Sequence, residues 1–147
     1  MIDFVVIANE QKSLRLLRWY AHFAEDRRLG PVDEAVSLAL ADPEPEGVID
    51  WRYGRLVYRR YAALTFIFAI DAEENELLVY EMLHAFADCL DGYFEDASEL
   101  DLIFNSQHAN YLLDEIVIGG HVYETSRNAI IKAARAQDQL ELAEGHA

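Results

Sequence analysis

The sequence predicts an α+β protein, an antiparallel sheet with helices packed on it. Three observations carry this. Residues 48–53, 55–61 and 63–71 are rich in Val, Ile, Leu, Tyr and Phe and follow one another with almost no intervening chain, which is a β-meander. Two more strand-like segments precede them, and segments with a helical apolar stripe surround them. The 147 residues, 52% of them hydrophobic, suffice for one sizeable core.

The elements follow in order. Residues 2–8, IDFVVIA, form a continuous apolar run and read as a buried strand. A turn at 9–12 leads to SLRLLRWY (13–20), a second strand or a strand passing into helix, with Leu14, Leu16 and Arg18 expected on one side. Gly30-Pro31 opens a helix, because proline suits the first helical turn. Val32, Ala35, Val36, Ala39 and Leu40 then make one buried stripe. DPEPEG (42–47) is an exposed loop. In the meander, Gly54 makes the first tight join, and the unbroken apolar run 63–71 marks a central strand covered on both faces. Asp71 and Glu74 are expected to box the start of the next helix, which carries Leu83, Phe86, Ala87, Leu90 and Phe94 on one face. SELD (98–101) is a second box. It leads helical turns with Leu100, Ile103, Phe104, Tyr111, Leu112 and Ile116, which Gly119-Gly120 ends. Thr125 caps a last helix with Ile130, Ala133 and Ala134. The expected order is β-β-α-β-β-β-α-α-α.

Composition removes several function classes. A net charge of −15 repels nucleic acid and anionic lipid, and suits a soluble protein or one that docks on a basic partner. The single cysteine, Cys89, forms no intrachain disulfide and fits a reducing compartment. The N-terminus has an apolar run without a basic region or a small-residue cleavage site, so it does not read as a signal peptide. No apolar segment approaches the roughly 20 residues of a membrane span. A cytoplasmic protein is expected.

Motifs for chemistry are weak. Glu81 and His84 make one Glu-x-x-His pair, where a di-iron bundle needs two pairs and two further glutamates. His108 and His121 lack partners at metal-ligand spacing. Cys89 sits mid-helix and reads as packing. No phosphate loop or nucleophile elbow occurs. The sequence therefore predicts no enzyme, no metal and no cofactor. Arg59 and Arg60 stand out, adjacent in an apolar strand. Strand side chains alternate, so the two face opposite ways. At least one is expected at the surface, blunting a hairpin end or anchoring acidic groups such as Asp101 or a partner chain.

Five stretches, taken together in this order, carry a resemblance: RLLRWY (15–20), WRYGRLVYRRYAALTF (51–66), ENELLVYEMLHAF (74–86), LDGYFEDASELDLIFN (90–105) and LLDEIVIGGHVYETS (112–126). In them the chain resembles the small, or sigma, subunits of clathrin-adaptor protein complexes. The resemblance covers nearly all of residues 1–142, which it implies form a single domain with a short tail at 143–147. It implies the longin-like fold, a five-stranded antiparallel sheet flanked by helices. It implies partners too: a large adaptin whose trunk holds the small chain, within a heterotetramer completed by another large and a medium adaptin. Membrane contact then comes only indirectly, through the complex. The implied location is cytoplasmic, peripheral on coated vesicles of the trans-Golgi network or endosomes, with the plasma membrane as another address.

The resemblance further implies that such complexes bind acidic dileucine signals, Asp/Glu-x-x-x-Leu-Leu/Ile, in cargo tails. The matching leucine-pocket positions are Ala62, Leu64, Ala87, Ala97 and Leu102, and Arg15 matches the arginine that holds the acidic residue. Burying each leucine is worth roughly 1.5–3 kcal/mol. Ala87 and Ala97 stand where relatives that bind these peptides often carry valine, and the smaller alanine enlarges the notch and weakens contact with a leucine. Asp96 adds negative charge where a neutral residue is common. Two other readings remain at this point. A coatomer zeta-like or free longin scaffold predicts no notch. An enzyme or sensor with a profilin-like sheet predicts an enclosed pocket with convergent titratable groups.

Overall fold

In a computed structural model the described residues are 1–21, 29–94 and 106–119. The chain forms two compact units, Met1–Leu83 and His84–Ala147. In the first lie β1 (Ile2–Asn9), β2 (Leu14–Trp19), α1 (Leu29–Ala41), β3 (Glu46–Trp51), β4 (Gly54–Tyr61), β5 (Leu64–Ile70) and the opening turns of α2 (Glu76–Phe94). The second holds the rest of α2 and then α3 (Ser106–Asp114), which runs into a π-helical turn at Glu115–Gly119. The expected stop at Gly119 agrees with the end of that turn. The last helix, expected after Thr125, and the SELD box lie outside the described residues.

The five strands form one antiparallel sheet in the order β2-β1-β5-β4-β3. The order explains the burial. β5 is central and all seven of its residues are buried. β1, beside it, has one residue short of full burial, whereas β3 at the edge alternates between exposed and half-buried positions. One face carries Phe4, Val6, Ala8, Leu56, Tyr58, Ile67 and Ala69, and the α1 stripe of Val32, Ala35, Val36 and Ala39 closes over it. The second face carries Val5, Ile7, Val57, Phe68 and Ile70, all inaccessible to solvent. Within this unit, the start of α2 is tied to β4 and β3. Arg55 donates to Glu76 at 2.8 Å, and the Tyr80 hydroxyl donates to Glu46.

Two turns show why particular residues stand where they do. Gly54 has φ +140, and a Cβ there would lie 2.1 Å from the Ile70 carbonyl oxygen, so only glycine lets β4 start this close to β5. The β4–β5 hairpin turns on Ala62-Ala63 between the paired residues Tyr61 and Leu64. Ala62 adopts φ 53, a left-handed conformation that glycine takes more readily.

Two sequence expectations need correction. Asp71 is not the cap of α2. Its Oδ1 accepts from the Glu73 and Glu74 N–H groups, forming a turn, and its carboxylate pairs with the Met1 amine at 3.0 Å. Asn75 caps the helix instead, its Oδ1 accepting from Leu77 and Leu78 at 3.0 and 3.3 Å. The simple alternation expected for β2 also fails. Ile7 pairs with Leu16 while Ala8 pairs with Leu14, so Arg15 is an extra residue and the strand is bulged there. Leu14, Leu17 and Trp19 consequently pack toward the α1 core, and Leu16 falls with its partner Ile7 on the second face.

Candidate functional site

The paired arginines of β4 have separate tasks. Arg60 shares the α1 face with Tyr58. α1 ends at Ala41-Asp42-Pro43 with no glycine and no basic residue in its last turn, so its terminal carbonyls need donors from elsewhere. Arg60 supplies them. Its Nη2 donates to the carbonyls of Ala39, Leu40 and Asp42 at 2.8, 3.2 and 2.7 Å, and its Nη1 donates to Glu44. Its main-chain N–H donates to Pro45 at 2.8 Å. The 42–45 loop is thereby fastened to β4. The Tyr58 hydroxyl donates to the same Glu44 carbonyl at 3.4 Å, and burial together with the neighbouring Asp42 carboxylate pushes its pKa up to about 12.

Arg59 points the other way. It pairs with Glu46 at 3.4 Å and lies 4.8 Å above the Tyr61 ring. Glu46 also receives the Tyr80 hydroxyl, whose pKa this hydrogen bond raises. The expectation that one arginine of the pair anchors acidic groups holds for Arg59, with Glu46 as the group. Asp101 lies outside the described residues. Sequence reasoning missed the role of Arg60, although a helix end lacking both glycine and a basic residue was the available signal.

Arg15 is the half-buried residue at the β2 bulge. A bulge releases a side chain from strict alternation and re-aims it. Ala62 is exposed in the β4–β5 turn, and Leu64, two residues on, is 7% exposed on the second face beside Tyr61 and Phe66. Register brings these positions to one end of the sheet: Leu64 pairs with Asn9 on β1, and Ala8, next to Asn9, pairs with Leu14 on β2. Arg15 thus stands two strand spacings from Leu64, roughly 10 Å at about 4.8 Å per strand. Ala87 belongs to the second unit, where it is a buried residue of α2. Ala97 and Leu102 lie outside the described residues. Among the described residues no three His, Cys, Asp or Glu side chains gather to hold a metal. No described helix is long and apolar enough to cross a membrane.

Residues 1–141 match the family model described as the clathrin adaptor complex small chain. The chain belongs to this family. Among similar proteins, the small chain is 40% identical to the AP-1 complex subunit sigma-2 of Arabidopsis thaliana, over 95% of this chain and 87% of that one. It is 39% identical to the AP-1 complex subunit sigma-3 of Homo sapiens, over 96% and 92%. It is 34% identical to the AP-2 complex subunit sigma of Schizosaccharomyces pombe, over 96% of this chain and all of that one. In three dimensions it matches a chain of a homology model of the full-length AP-3 complex in a stretched open conformation, with TM-score 0.74, 25% identity, and coverage of 99% and 98%. The five-stranded antiparallel sheet with its helices agrees with the α+β, longin-like expectation. Membership makes this small chain a trafficking component with a structural role and not an enzyme.

Proposed function

We propose that this small chain is held by a large adaptin within a heterotetrameric clathrin-adaptor complex and contributes there to recognition of acidic dileucine signals. Ala62 and Leu64 offer the apolar contact for the leucines, and Arg15 holds the signal's acidic residue. The observation that carries this is the register distance. The first leucine lies four positions after the acidic residue, and an extended segment of that length reaches about 13 Å at roughly 3.3 Å per residue. The approximately 10 Å between Leu64 and Arg15 is within that reach. The bulge re-aims the Arg15 side chain out of strict alternation, and a charge-assisted hydrogen bond suits the pairing of a guanidinium with a carboxylate. The relatives named as AP-1 subunits accord with the trans-Golgi and endosomal address that the resemblance implies.

The test is peptide binding by the assembled complex. Arg15→Ala should weaken an acidic dileucine peptide by about 1.5–3 kcal/mol, the range for a hydrogen bond to a charged group. The loss should shrink in high salt. Ala62→Trp should block the leucine contact while leaving assembly intact, because Ala62 is exposed. Unchanged binding by both variants would remove the proposed site. A scaffold without peptide binding, the coatomer zeta-like alternative, predicts that outcome.

A further inference from the structure

The cations of this small chain are unevenly placed. The whole sequence holds 27 acidic residues against 12 Lys and Arg, yet residues 11–21 contain Lys12, Arg15 and Arg18 and no acidic residue. All three belong to the β1–β2 turn and to β2, and β2 is an edge strand of the sheet. Lys12 is exposed at the turn with φ 65. That turn is pinned by the Asn9 side chain, whose Oδ1 accepts from Gln11 and Ser13 at 3.0 and 2.9 Å. Arg15 follows at the bulge. Arg18 pairs in register with Val5, and its guanidinium lies 5.6 Å above the Tyr20 ring. Three residues of strand advance about 10 Å, so Arg15 and Arg18 mark β2 at an interval near that length, with Lys12 in the turn before them.

Edge strands often carry charge to discourage pairing with other chains, and either sign serves that purpose. Glu10 stands in the turn beside Lys12, but β2 itself, Leu14–Trp19, carries Arg15 and Arg18 and no acidic residue, and in a chain this acidic that sign calls for a reason. Complementary charge is the simplest, since it steers and orients an anionic partner.

We propose that the β2 edge is a cationic track for the acidic stretch that precedes the signal's own acidic residue. The chain then selects dileucine signals carrying further Asp or Glu upstream. This rests on the peptide-binding reading above, with Arg15 taking the signal's acidic residue, Arg18 further along β2 reading its upstream neighbours, and Lys12, on the other side of Arg15, adding attraction at low salt.

The experiment uses the assembled complex and two labelled peptides. One carries a single acidic residue four positions before the first leucine, preceded by neutral residues. The other adds acidic residues over the six positions further upstream. The wild type should bind the second about fivefold more tightly at low salt, the size two exposed ion pairs can give, and the preference should fade near 0.5 M salt, an ionic strength at which screening is short-ranged, of order 4 Å. Lys12→Gln with Arg18→Gln should abolish the preference and leave affinity for the first peptide unchanged. If the double variant does not assemble, each single variant should lose part of the preference. Equal affinity of the wild type for both peptides, or a preference that survives the substitutions, overturns the track alone. Binding of neither peptide overturns the peptide-binding reading along with it. Vesicles containing phosphatidylserine form a third arm: charge-dependent capture of vesicles without discrimination between peptides makes the edge a membrane contact and overturns the proposal.

Discussion

Arg60 shows how much one side chain can organise. It bonds to carbonyls at the end of α1 and in the following loop, positions 16 to 21 residues away in sequence. Arg60→Ala should cost about 1.5–3 kcal/mol, as expected for hydrogen bonds from a charged donor. Arg60→Lys should recover less than half, because a point charge cannot fork across several carbonyls. Urea denaturation measures both, and a lysine variant as stable as the wild type would refute this role. Gly54→Ala should be far more damaging, since its Cβ would press against the Ile70 carbonyl in a backbone conformation alanine avoids. Failure to recover folded protein is the expected result. Asp3 gives a pH dependence. Burial, reinforced by the Asp71 charge, raises its pKa. The folded state therefore keeps a proton that the unfolded state has released, so the stability tied to Asp3 is present at low pH and is lost as pH rises through the raised value. Asp3→Asn should be more stable than the wild type near neutral pH, with the difference closing in acid. Gly54 was legible in the sequence as a tight join. Arg60 was not, because strand alternation tells which way a side chain points and never which distant carbonyl it meets.

At the scale of elements, the apolar stripes located β1, β3, β4, β5, α1 and α2 because hydrophobic period follows from backbone geometry. The start of α2 was misplaced because Asp71 and Asn75 are both good capping residues four apart. The choice between them depends on Asp71 being occupied by its own turn and by the Met1 amine. Asn75→Ala should therefore cost about 0.5–2 kcal/mol through loss of the helix cap. Amide hydrogen exchange should show the loosening at Leu77 and Leu78. Protected amides there in the variant would mean that Asn75 is not the cap. The β2 bulge was equally hidden. An extra residue shifts the strand's pattern, so Leu14 and Leu17 share a face that strict alternation would deny them. The residue the bulge sets apart is Arg15, the one proposed to hold the signal's acidic group. Of the positions expected to form the leucine contact, the hairpin places Ala62 and Leu64 close together, since a two-residue turn leaves no other arrangement.

For the whole molecule, the net charge of −15 and the exposed Leu29, Val48 and Leu77, at 64%, 44% and 73%, describe a chain with apolar side chains left in solvent. Some of this surface is expected to be covered in a complex, so the isolated chain should self-associate at concentrations where co-expression with a large adaptin keeps it dispersed. Sedimentation of the two preparations compares them directly. The order of elements and the central place of β5 were readable because they follow from apolar patterning and tight turns, whereas the pairing of β1 with β5, far apart in sequence, was not. Partners were not readable from patterning, because an edge strand or an exposed leucine does not specify what covers it, and that part of the reading came from the resemblance. The most direct test of the account is capture of the tagged chain from the cells that make it, followed by native mass spectrometry of what is released. The account predicts a four-chain assembly with two large adaptins, one medium adaptin and one copy of this chain. Recovery of the chain alone, or with partners that include no large adaptin, would contradict it.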